Sequence, residues 1–186
     1  MTSTPPAAPP RERILRTAHD LFYRDGIRAT GIDRVIAEAG VAKVTFYRQF
    51  ASKDDLVLAF LDDRHERWMA WFVDALARHG GTLAAVVPTM REWLSSSGFR
   101  GCAFLNSVGE LGPAQPAVLA ATRRHKQDMT SAVTRLMKPA PGRARTARAL
   151  ALAIDGAIVQ AQFHESPGAT LDALATVTKA LEAGLA

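Results

Sequence analysis

ATGIDRVIAEAGVAKVTFYRQFASKDDL, residues 29–56, decides how this 186-residue chain reads. Apolar Ile32, Val35 and Ile36 recur at helical spacing, stop at Ala39-Gly40-Val41, and resume with Val41, Phe46 and Phe50. An apolar stripe at steps of three and four marks one face of a helix, and glycine punctuates helices. The stretch predicts a short helix over about 31–39, a tight glycine turn, and a second short helix over about 43–50. Two such helices make a helix-turn-helix, whose second helix can enter the DNA major groove. On that helix Lys43, Thr45, Tyr47 and Arg48 are surplus to the core pattern and carry donors suited to phosphates and base edges. The same pattern also fits a small helical bundle with a solvated polar face.

Two capping boxes are expected at the edges of this unit. Thr30-Gly31-Ile32-Asp33 places a hydroxyl where it can satisfy a free amide while Asp33 reaches back, and Ser52-Lys53-Asp54-Asp55 repeats the arrangement.

Outward from the unit the chain reads as helical almost throughout. It holds 34 alanines, the best helix former, and no run of alternating β-branched residues bounded by turns. Upstream, Ile14, Ala18, Leu21 and Phe22 form one face of a helix over 11–25, closed by Gly26. Downstream, helices are expected over 52–79, 82–97, 102–111, 116–138, 143–165 and 170–185, separated by glycine and proline. The fold class is all-α, with about nine helices in a three-helix head and a larger helical body. The domains predicted are a flexible arm over 1–10, which holds four prolines, a DNA-binding head over 11–55, and a body over 56–186.

Composition is consistent with one globular unit. The chain is 48% hydrophobic and 22% charged, a globular and not a disordered balance. No apolar run approaches the roughly 20 residues needed to span a bilayer. The opening MTSTPPAAPP lacks the basic and apolar regions of a secretory signal. One cysteine, Cys102, permits no internal disulfide, and a reducing cytoplasm is the expected location. Net charge is +5, yet residues 1–60 carry nine basic and seven acidic side chains, so DNA contact must rest on local placement of charge. Residues 123–148 hold eight basic side chains and one acid, Asp128, and read as a solvated region.

With its neighbours quoted, the stretch resembles the DNA-binding head of the tetracycline-repressor (TetR) family. The resemblance rests on the Thr30-Gly31-Ile32 opening, the Ala39-Gly40-Val41 turn, the KVTFYRQF recognition helix from Lys43 to Phe50, and the Ser52-Lys53 entry that leads to Leu56. It extends back through the 11–26 helix, about a quarter of the chain. The resemblance implies that Thr30 caps its helix and touches a phosphate. It places Lys43, Thr45 and Tyr47 on the operator, Tyr47 on the backbone, and Lys53 on a phosphate at a helix start. Val44 and Thr45 are the candidates for base edges or a thymine methyl. Two positions depart from the pattern: Ala42 stands where a capping Ser is common, and Ile36 where a small Ala is usual.

The resemblance also gives the body a role in sensing and dimerisation. His65, Trp68, Phe72, Trp93, Phe104, His125 and Met129 are the candidate ligand-binding residues, with the two histidines orienting a small apolar or aromatic effector. Ordinary core packing is the competing reading of each. Small and apolar residues at helical spacing, Leu152, Ala153, Gly156, Ala157 and Gln160, then Leu174, Val177 and Leu181, are assigned to a four-helix interface between two copies. The competing reading is packing within one chain. A homodimer matches a palindromic operator, because two-fold protein symmetry reads two half-sites.

Cys102 follows Arg100 and Gly101 at an expected helix start, where a thiol can be activated as a thiolate. A thiol- or electrophile-sensing regulator is therefore the alternative, against plain packing beside Ala103, Phe104 and Leu105. The enzymatic signatures GxGxxG, GxSxG, HExxH and the Walker loop are absent from the sequence. Asp62 and His65 form one weak pair at metal-ligand spacing, the basis of a minor alternative as a helical metal-dependent enzyme. The chain is expected to be no enzyme and to need no cofactor. Its expected partners are an operator duplex, a small-molecule effector and a second copy, and no membrane.

Overall fold

The computed structural model describes residues 8–184. Most of the expected arm over 1–10, and the expected helix end at 185, lie outside the described residues. Among the described residues there are nine α-helices, two single-turn 3-10 helices and no strand.

Helix α1 (Pro10–Asp25) starts on a proline, which needs no amide partner there, and buries Ile14, Ala18, Leu21 and Phe22 as the spacing predicts. Helix α2 (Ile32–Ala39) and helix α3 (Lys43–Gln49) follow. The turn between them depends on Gly40, at φ 62° and ψ 41°, a left-handed conformation costly for a residue with a Cβ. Its N–H closes α2 on Ile36 and Ala37 carbonyls, and Val41 N–H returns to Ile36 O at 3.2 Å.

The first expected capping box is not formed. Gly31, not Thr30, caps α2, and no side chain caps it. The Thr30 hydroxyl instead donates back to Gly26 O at 2.7 Å, which ties the α1–α2 turn together. The second box is formed in part. Ser52 Oγ accepts from Asp55 N–H at 3.0 Å, and the hydroxyl donates to Asp55 Oδ2 at 2.8 Å. Such a cap stabilises a helix start by about 1 kcal/mol.

Helix α4 (Lys53–Arg78) has 26 residues and spans about 39 Å. Its first turns bury Leu56, Val57 and Phe60 against the head, with the Phe60 and Phe22 rings edge to face at 5.6 Å. Its later turns bury Trp68, Phe72, Ala75 and Leu76 in the body. Head and body thus share one continuous apolar core.

Beyond α4 the expected helix over 82–97 is broken. A 3-10 turn at Leu83–Ala85 leads into α5 (Val86–Leu94), whose Pro88 sits in the first turn where no amide is needed. Ser95, Ser96, Ser97 and Gly98, all poor helix residues, release the chain into a loop. Then come α6 (Ala103–Leu111), a second 3-10 turn (Gly112–Ala114), α7 (Pro116–Arg135), α8 (Arg143–Ala161) and α9 (Gly168–Ala183). Helix α7 ends three residues before the expected 138, and α8 four before 165. Helix α7 packs on α4, α6 and α8, and α9 closes the body against α8 and α5.

Candidate nucleic-acid interface and effector cluster

Helix α3 is anchored by one side chain. Phe46 has no exposed surface, and its ring meets Phe50 at 6.2 Å and the edge of Tyr47 at 5.3 Å. The opposite face carries Lys43, Val44, Tyr47 and Arg48, all exposed. Val44 is 65% exposed and Tyr47 44%, so an apolar side chain and a phenol stand in water on a fixed helix. Lys43 reaches Asp33 Oδ1 at 3.4 Å, a loose surface contact that a phosphate can replace. Thr45 is half-buried at the edge of this face. Ala42 caps α3 with backbone alone, in line with its departure from the capping Ser.

Two proposed phosphate contacts sit differently from expectation. Thr30 is 0% exposed and its hydroxyl is spent on Gly26 O, so this side chain is a clamp inside the head and does not face a duplex. Lys53 is half-buried, and its ammonium donates to Ile27 O at 2.6 Å. That contact pins the α1–α2 turn to the start of α4. It takes one of the three ammonium donors.

In the body the expected aromatic set is brought together. His125 stacks on Phe104 at 3.8 Å with 9° between planes, Trp68 stacks on Phe72 at 4.6 Å, and Trp68 meets His125 at 5.1 Å and Trp93 at 5.3 Å. The two histidines meet directly. Their Nδ1 atoms are 3.2 Å apart, so one ring donates to the other, and His65 Nε2 lies 3.4 Å from Asp128 Oδ2. Burial first, then the charges of Lys126 and His65, pushes His125 down to about 2, so it is neutral at ordinary pH. Phe72, Phe104 and Met129 are fully enclosed by these neighbours, and as placed they are core. Trp68 and Trp93 differ: both reach a groove of about 330 Å³ between α4 and α5, shared with Trp71, Arg64, Arg67, Glu92 and Ser96.

The small-residue helices divide in the same way. Leu152 is 73% exposed on α8, and Gly156, Gln160 and Val177 are also exposed. Ala153 and Leu181 are half-buried. Leu174 is 3% exposed and Ala157 is buried, so α8 and α9 cover them within one chain and they floor the surface without forming it. A shallow groove of about 390 Å³ runs between these helices, past Ala153, Gly156, Gln160, Ala173 and Val177. A Cβ added at Gly156 meets nothing within 4 Å, so that glycine faces outward.

Cys102 is the cap residue of α6 and is 3% exposed. Asp62 and His65 do not meet as a metal pair. Asp62 pairs with Arg124, and His65 turns to His125 and Asp128.

The sequence pattern did not single out the residues that join head to body. The Tyr23 hydroxyl donates to Gly101 O at 2.8 Å and accepts from Arg100 N–H at 3.0 Å. Glu110 on α6 accepts from Arg28 N–H at 2.7 Å. The Arg64 guanidinium lies over the Tyr23 ring at 4.2 Å and meets His19 Nε2 at 3.3 Å. These contacts span from 41 residues of sequence, between Tyr23 and Arg64, to 82, beyond the reach of local periodicity. One signal was legible: Arg64, Trp68 and Trp71 fall at helical spacing on α4.

The sequence pattern described as "Bacterial regulatory proteins, tetR family" matches residues 14–60, the head and the first turns of α4. The whole chain is similar in structure to SCO4454, a TetR-family transcriptional regulator from Streptomyces coelicolor. That likeness has a TM-score of 0.85 and 32% identity, over 95% of this chain and 89% of that one. A TetR-type regulator from Streptomyces avermitilis is similar at 29% identity and a TM-score of 0.72, over 94% and 98% of the two chains. An uncharacterised helix-turn-helix-type regulator from the lacX 3' region of Lactococcus lactis subsp. lactis is 27% identical over 106 residues. That match spans about half of either protein, 54% of each. The chain belongs to the TetR family of helix-turn-helix transcriptional regulators, and its fold is that of DNA-binding regulation. Among the described residues no helix is long and apolar enough to cross a membrane.

Proposed function

We propose that the chain is a homodimeric repressor that a small apolar or aromatic effector releases from a palindromic operator. Residues 11–55 act as the reading head and 56–186 as the sensing and dimerising body. The outward face of α3 carries the reading. A fixed helix that holds Val44 and Tyr47 in water, flanked by Lys43 and Arg48, suits a thymine methyl, a base edge and two phosphates. The exposed apolar residues of α8 and α9 support a two-fold partner, since two heads must sit about 34 Å apart, or a multiple, to read two half-sites. Effector and operator then compete through the shape of α4, each weakening the other by the same factor.

Selection of bound fragments from genomic DNA tests this directly. The expected outcome is one palindromic sequence near a start of transcription, bound by a dimer. Enrichment without two-fold symmetry contradicts the dimeric reading.

The thiol-sensing alternative finds less support. Cys102 is buried, and a buried thiol reacts slowly. Alkylation of the folded protein, compared with Cys102→Ser, is expected to leave operator binding unchanged in both. Release from DNA in the wild type alone makes Cys102 the sensor.

A further inference from the structure

The groove between α4 and α5 has features that the packing of the body does not use. Trp68 and Trp71 from α4 and Trp93 from α5 line it, their rings 5.3 to 6.3 Å apart. Trp68 is only 7% exposed, and its indole N–H has no partner among the described residues. A buried donor left unpaired is costly, on the order of 1–3 kcal/mol, and a ligand acceptor removes that cost. The volume of about 330 Å³ falls at the small end of ligand pockets, room for one flat ring system.

Charge at the rim is lopsided. Among the described residues Glu92 is the one acid lining the groove, and it is committed elsewhere: Arg78 grips both of its oxygens at 3.0 Å and His79 reaches one at 2.7 Å. These partners hold the Glu92 carboxyl down at about 2. Arg67 is paired with Asp63 at 2.9 Å. Arg64 has no carboxylate partner among the described residues and only rests on Tyr23 and His19.

We propose that this groove binds a planar aromatic anion, stacked on the tryptophans, with its charge taken by the Arg64 guanidinium. The site gives a chemical class to the effector and rests on the repressor reading for its consequence. An anion that engages Arg64 draws it off Tyr23, the residue that fastens α1 to the loop before α6. The ligand site and the head–body contact thus share one side chain.

Naphthoate, naphthamide and naphthylmethylammonium have the same ring system and differ in charge. Calorimetric titration of the full chain with each compares them. The expected order places naphthoate first, about tenfold tighter than naphthamide, as one charge-assisted pair in a partly enclosed site provides. Arg64→Gln should erase the preference, Arg64→Lys should keep part of it, and Trp71→Ala should weaken naphthoate and naphthamide alike. Equal binding of the three probes, a lead for the cation, or no detectable naphthoate binding at millimolar concentration overturns the proposal. So does a preference that survives Arg64→Gln. Operator release is measured separately. Naphthoate that binds with the expected preference and leaves the operator bound upholds the site and defeats the effector reading alone.

Discussion

The Tyr23 hydroxyl of α1 donates to the Gly101 carbonyl at 2.8 Å, which fastens the reading head to the loop that opens α6. Gly101 sits at φ 86°, a backbone conformation that favours glycine. Loss of this hydrogen bond leaves both Gly101 O and Arg100 N–H short of a partner. Tyr23→Phe is therefore expected to cost about 1 kcal/mol of stability by urea unfolding. It should also loosen the link between effector and operator. A variant as stable as wild type, with unchanged release, places the link elsewhere.

Lys53 separates two roles that share one side chain. As a clamp its ammonium holds Ile27 O at 2.6 Å, and as a phosphate contact it adds one ion to the salt dependence of DNA binding. Operator affinity of Lys53→Ala, followed across salt concentrations, reads the two apart. A phosphate contact lowers the log–log slope by about 1. The expected outcome is that lower slope together with a modest loss of thermal stability. A wild-type slope assigns Lys53 to the fold alone.

The head was legible because its signals are local. Gly40, the periodic Val35 and Phe46, and Ser52 before α4 each act within a few residues, and the structure keeps them. Thr30 misled because a hydroxyl at a helix start has two local choices, the amides ahead or the carbonyl behind. The turn geometry at Gly26 brings that carbonyl to 2.7 Å. In the body the resemblance grouped His65, Trp68, Phe104 and His125, whose rings do meet, yet it could not divide core from cavity. Whether a ring fills space or lines it depends on neighbours brought by α5, α6 and α7, far away in sequence. Leu174 shows the same limit on α9: its spacing suits either a partner copy or α8, and α8 covers it.

Gly156 tests the interface with little risk to the fold. Within one chain a side chain there meets nothing within 4 Å, so Gly156→Leu should fold with wild-type helix content. Against a partner helix the same change overpacks the contact, by about 1–3 kcal/mol. Sedimentation at low concentration should then find monomer, and operator affinity should fall with it. A stable Gly156→Leu dimer moves the interface off this face.

His125 gives the fold a pH dependence of known sign. Unfolded, a histidine titrates near 6.5, and in the folded chain burial holds this one near 2. Between those values the unfolded chain binds one more proton, so acid favours unfolding. The contribution is whole above pH 6.5 and is lost as pH falls, by at most about 1.4 kcal/mol per unit. His19 is shifted the same way, chiefly by burial. Urea unfolding between pH 6.5 and about pH 5 should show the slope, and His125→Phe should flatten it. Parallel curves for the two proteins contradict a buried neutral imidazole.

We propose that α3 reads the operator, with Tyr47 on the backbone and Thr45, beside Val44, on the bases. The most direct test is the affinity of wild type, Tyr47→Phe and Thr45→Ala for the selected operator, for single-base variants of it and for random DNA, all at one salt concentration. Tyr47→Phe is expected to weaken specific and random binding alike. Thr45→Ala is expected instead to reorder the single-base variants, by about 1–3 kcal/mol at the contacted position. Unchanged affinities and an unchanged order in both variants would contradict it.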